Sequence, residues 1–117
     1  MSPIKTKAPQ KKKRKKHGKS ILQPKTDKRC FLCMLLHDDY REKTVHEHHI
    51  IMGTAGRAKS EELGLKCNLC LDHHELGKEA VHRNWEVRRR LECVAQERFE
   101  ELYSHEEWME QIGRNYL

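Results

Sequence analysis

Nine histidines and five cysteines in 117 residues are more than packing requires, and their spacing sorts them into two constellations. Cys30-Phe-Leu-Cys33 has the two-residue spacing that lets one turn offer both sulfurs to a tetrahedral ion. A second pair comes either from Cys67-Asn-Leu-Cys70, giving an all-cysteine site, or from Cys70-Leu-Asp-His73, giving three cysteines and a histidine. Strand geometry favours the latter. If residues 65–69 form a strand, Cys67 shares an inward face with Leu65 and Leu69, whereas Cys70 ends the strand and His73 lies one helical turn beyond. Cys30, Cys33, Cys70 and His73 are therefore the expected ligands of a structural Zn²⁺. The other constellation is Glu47-His48-His49, with His74 and His82 downstream. Adjacent strand residues face opposite ways, so His48 and His49 must serve different ends, one binding metal and one facing solvent or substrate. His74 lies about 100° round a helix from His73 and can face a different ion.

These residues need elements to hold them. Cys30 to Cys33 reads as a knuckle, Met34 to Tyr40 as a short element, and Thr44 to Ile51, β-branched at its ends, as a strand. Gly53 to Gly56 reads as a loop carrying on to Arg57 and Lys59, both plausible phosphate contacts. Ser60 to Gly64 reads as one helical turn, with Ser60 as N-cap and Gly64 as terminator. Leu65 to Leu69 reads as a second strand, and Leu71 to about His82 as a helix weakened by Gly77. From Asn84, Val87, Leu91, Val94, Ala95, Phe99 and Leu102 recur at three- and four-residue spacings, the stripe of an amphipathic helix. Ser104 and Glu107 form a capping box for a last helix ending at Gly113. Trp85, Phe99 and Trp108 are expected in the core, with Cys93 as a core thiol. Arg88-Arg89-Arg90 is expected on a solvated face, and His37 and His46 in exposed or structural positions.

The order of these features resembles the HNH, or ββα-metal, endonucleases: a CxxC, a strand ending in His48-His49-Ile50, a loop, a strand ending in Leu69-Cys70, and a helix opening on His73-His74. Glu47 to Leu71, with the closing His105-Glu-Glu-Trp-Met-Glu-Gln-Ile-Gly-Arg-Asn-Tyr-Leu117, is similar to small HNH proteins of phages and prophages. The resemblance covers residues 29–117. It implies that His48 and His74 bind the catalytic ion, Mg²⁺, Mn²⁺ or another divalent metal, and that His49 is the general base. A base that titrates near neutrality suits proton abstraction from water, and a cation suits phosphorane and leaving-oxygen charge. The family's middle Asn falls at Leu65 here, and Asn68 lies inside the strand. A third metal ligand would fall at Lys78; His82, if Gly77 lets the chain loop back, or Glu47 is left for that place.

Charge divides the chain. Residues 1–28 hold eleven Lys/Arg against Asp27, a net of +10, whereas residues 29–117 hold thirteen against seventeen acids, a net of −4. Residues 1–28, with Lys11, Lys12, Lys13, Arg14, Lys15 and Lys16, read as a disordered arm that contacts DNA phosphates without reading bases. A solubilising tail or an import signal is the plainer reading of such a run. Without an apolar run of about 18 residues or a secretory h-region, neither a membrane span nor export is expected. The cysteines then belong to a reducing compartment, the bacterial cytoplasm if the phage resemblance holds. With 36% hydrophobic residues the core is thin, and a metal staple is the expected remedy. The expected fold is a small α+β domain: a zinc-stapled ββα-metal core over 29–117, with a C-terminal helical extension from about 84. The expected function is DNA endonuclease or nickase, with phage packaging or recombination proteins as partners. The alternative is a catalytically silent zinc module that binds nucleic acid or a phage-assembly partner.

Overall fold

Two short strands, β1 (Val45–His49) and β2 (Lys66–Cys70), pair antiparallel with Val45 opposite Cys70, His48 opposite Cys67 and His49 opposite Lys66. The computed structural model describes residues 18–117, so the run Lys11 to Lys16 lies outside the described residues. The element order is α1 (Phe31–His37), β1, α2 (Thr54–Leu63), β2, a π-helical turn (Asp72–Leu76), α3 (Trp85–Leu102) and α4 (His105–Ile112). The result is a small α+β fold with a two-stranded sheet. Among the described residues, no helix is long and apolar enough to cross a membrane.

The stretch between the strands corrects the sequence reading. Residues 54–63 form the continuous helix α2, rather than a loop followed by one turn. Ser60 is inside that helix and fully buried, where its Oγ accepts from the Ile51 N–H and donates to the Ile51 carbonyl. A hydroxyl suited to capping is spent instead on fixing the bend that follows β1. Gly64 terminates α2 as expected, at φ 74°, and a Cβ there would collide with the backbone of Lys19.

The boundary at Arg29 is corrected too. Residues 18–28 form a strap beside β2: Ile21 N–H donates to Gly64 O, Ser20 Oγ to Lys66 O, and Asn68 N–H to Gln23 Oε1 at 2.6 Å. Asn68 Nδ2 in turn donates to the carbonyls of Lys25 and Asp27. The strap explains why β2 is buried at all five positions, polar Lys66 and Asn68 included, where alternation predicted one wet face. Asn68→Ala is expected to cost about 1–3 kcal/mol in a urea titration, because the strap's carbonyls lose their donor; an unchanged midpoint would count against a structural strap.

The α3 stripe holds at Val87, Leu91, Ala95 and Phe99, all buried, while Val94 and Leu102 are half-buried. Phe99 packs edge-on to Trp108 at 5.4 Å between ring centroids, and Trp108 Nε1 donates to Arg114 O. Two core expectations fail. Trp85 opens α3 with 67% of its surface exposed, and Cys93 is half-buried with its thiol against Glu97. Both lie off the apolar stripe that packs α3 onto α4. Of the three arginines, Arg90 is exposed as expected, while Arg89 stacks over Tyr116. Trp108→Ala is expected to cost about 3–5 kcal/mol of stability in the same titration.

Candidate metal centre and active site

Cys30 caps α1, and its Sγ accepts from the Cys33 N–H; one helical turn then carries Cys33 round to the same side. Cys70 closes β2, and the π-helical turn brings His73 back toward it. The four side chains are buried and form a group that can hold a metal such as zinc. Cys33 and Cys70 sulfurs are 3.8 Å apart, and His73 Nδ1 lies 3.5, 3.3 and 3.4 Å from Cys30, Cys33 and Cys70. A tetrahedral zinc with bonds of about 2.3 Å to sulfur and 2.0–2.1 Å to nitrogen needs edges of roughly 3.5–3.8 Å. The donor set therefore fits zinc. The cysteines are free rather than disulfide-bonded. The all-cysteine alternative is not formed: Cys67 faces the core opposite His48, outside the cluster, with its thiol pushed well above its usual range by burial. Burial also lowers the His73 imidazole, which favours the neutral form a metal takes. Glu79 stands behind it, 3.6 Å from His73 Nε2, and also pairs with half-exposed His37.

The second cluster gathers on the other side of the π-helical turn. His48, His74 and His82 bring their ring nitrogens within 4.8 Å of one another, and His74 Nε2 is 3.2 Å from His82 Nε2. The expected helix to His82 is corrected, and the correction places His82. The turn stops at Leu76, where Gly77 is extended at φ −80° and ψ 171° and donates its N–H to Asp72 O. A Cβ on Gly77 would sit 2.7 Å from that same oxygen. The chain then loops back, so His82 rather than Lys78 joins His74. Gly77→Ala is expected to open this loop and weaken divalent-metal binding at the histidines, read by isothermal titration; unaltered binding would argue against the loop as the positioning device. His48 is buried, and its Nε2 has no hydrogen-bond partner. A buried imidazole nitrogen without a partner is costly unless something else takes its lone pair. Burial, then the neighbouring His74 and His82, hold its pKa down to about 3, so it is neutral and able to ligate.

That shift has a sign. Unfolded His48 takes a proton near pH 6.5, which native His48 refuses down to about 3, so its contribution to stability falls as pH drops through that window. Between pH 7 and 5.5, wild type is expected to lose more thermal stability than His48→Gln, both zinc-loaded; parallel losses would contradict the assignment.

His49 turns to the opposite face of β1. Its Nε2 lies 2.8 Å from Glu61 Oε1, and Lys66 Nζ reaches the same carboxylate at 3.3 Å. Glu61 was not legible as a partner, because the single turn expected over residues 60–64 gave no sign of the full helix α2 that carries it beside β1. Glu47 groups with His49 and Glu61 rather than with His48 and His74. A cleft of about 540 Å³ is lined by Glu47, His48, His49, Arg57, His74 and His82 among others. Arg57 thus reaches the cleft from α2. Lys59 does not: it is tied to Gln111 Oε1 at 2.8 Å and pairs with Glu62. His46 is exposed, its ring tilted beside that of His74 with centroids 6.3 Å apart. Leu65 is buried in the core and Asn68 holds the strap, so neither supplies a polar group to the cleft. No protein-family model, curated protein or solved structure matches the chain.

Proposed function

We propose that this chain is a divalent-metal-dependent DNA endonuclease or nickase of the HNH type. The observation that carries the reading is the buried, partnerless His48 Nε2, facing His74 and His82 in a cleft that also contains His49 and Arg57. In this reading His48, His74 and His82 hold the ion. A bound divalent ion supplies positive charge to a scissile phosphate and its leaving oxygen.

The remaining work falls to the chain's own groups. The Glu61 carboxylate accepts the Nε2–H of His49, which leaves the lone pair on Nδ1 to take a proton from attacking water. The same carboxylate stabilises the imidazolium that results. Arg57 offers a planar donor pair to a phosphate entering the cleft. Glu61 in this reading performs the orienting work that the resemblance assigns to an Asn, absent at Leu65. The test is conversion of supercoiled plasmid to nicked circle with Mg²⁺ or Mn²⁺. A wild-type chain that nicks under no divalent metal sinks the proposal.

One observation favours a second reading, a zinc module that binds nucleic acid without cutting it: Asn68, the only asparagine near the motif, is committed to the strap. On that reading DNA affinity falls steeply with salt and is lost on deleting residues 1–16, while His48→Ala and His74→Ala bind as wild type.

A further inference from the structure

Among the described residues outside the four of the zinc cluster, Lys43 brings a cation to a ligand sulfur. Lys43 Nζ lies 2.9 Å from Cys33 Sγ, and the contact is held from behind. Asp39 Oδ2 accepts from the same ammonium at 2.8 Å. Asp39 is itself fixed by Arg41, whose Nε and Nη2 each donate to it at 3.0 Å and whose backbone N–H adds a third bond. The Lys43 backbone donates to Lys28 O, so the stem cannot swing far. The half-buried ammonium is thus aimed at Cys33 by the segment that leads into β1.

From this geometry we infer that Lys43 is the charge-balancing partner of the metal site, a positioning residue acting through Cys33. The inference rests on reading the four-residue cluster as a zinc site. Three thiolates and a neutral imidazole around a divalent ion carry a net charge of −1, in a buried place where an uncompensated charge is expensive. The ammonium in contact with sulfur offsets that charge, while Asp39 and Arg41 behind it offset each other. Loading exchanges three thiol protons for one divalent ion and leaves the site one unit more negative, so a fixed cation favours the loaded form. The N–H···S bond also withdraws electron density from the sulfur, which makes a bound thiolate a poorer nucleophile. Glu79 lies against the imidazole instead, 3.6 Å from His73 Nε2.

The test uses the full chain loaded with zinc under reducing conditions. Zinc transfer to a chromogenic chelator gives retention, and N-ethylmaleimide labelling read by mass spectrometry gives the reactivity of Cys33. Lys43→Met is expected to weaken zinc retention by about 10- to 100-fold and to speed labelling of Cys33. Lys43→Arg, which keeps the charge, is expected to stay close to wild type. Should Lys43→Met fail to fold, Lys43→Gln keeps a donor without the charge and is expected to show the same two changes. Retention and labelling equal to wild type in the uncharged variants overturn the inference, as does an equal loss in Lys43→Arg. A wild-type chain that takes up no zinc overturns the metal reading itself, and this inference with it.

Discussion

Cys30→Ser is expected to leave the chain without cooperative structure at 25 °C. Cys30 has no exposed surface, caps α1, and belongs to a buried four-residue group that can hold a metal such as zinc. Structural zinc contributes on the order of 10 kcal/mol in small zinc peptides, against about 5–15 kcal/mol for the whole stability of a typical domain. The cluster also joins α1, the end of β2 and the π-helical turn. Losing it frees all three together. Circular dichroism on heating, with Cys93→Ser as the control, reads the outcome, since Cys93 lies outside the cluster. A Cys30→Ser chain that melts like wild type refutes zinc as the staple.

The second large effect concerns chemistry rather than folding. His49→Ala is expected to reduce plasmid nicking by about 10²- to 10⁴-fold, the range for a positioned general base. That equals about 3–5 kcal/mol of transition-state stabilisation. His49 is partly buried and its ring pairs with Glu61 of α2, outside the group of His48, His74 and His82, so the variant should fold and retain metal at those three. Glu61→Gln should lose less than His49→Ala, because the ring keeps a neighbour but loses the carboxylate that stabilises its protonated form. Two variants then separate base from metal: His48→Ala should lose both cutting and divalent binding, His49→Ala cutting alone. Undiminished cutting by His49→Ala would remove it as the base.

The sequence by itself marked the candidate members of both clusters and left one place in each open, Cys67 or His73 in the first and His82 or Glu47 in the second. Two-residue cysteine spacing and strand alternation favoured Cys70 and His73 over Cys67, and could do so because both rules are local: each needs only the geometry of one turn or one strand. The same holds for α3 and α4, whose apolar period and caps at Asn84 and Ser104 lie within the elements they define. Tertiary structure decided what local rules cannot reach. Glu61 meets His49 across 12 residues, and only the length of α2 brings them together. The strap from Gly18 to Lys28 reads as polar and basic, yet its side chains and backbone close the hydrogen bonds of β2, a need invisible from the strap's own composition. Lys43 looked like any surface lysine until folding set it against Cys33. Spacing alone marks the Cys and His pairs as candidate ligands. Which nitrogen lacks a partner, which carboxylate meets His49 and which cation touches Cys33 depend on contacts between distant segments, where spacing along the chain carries no information.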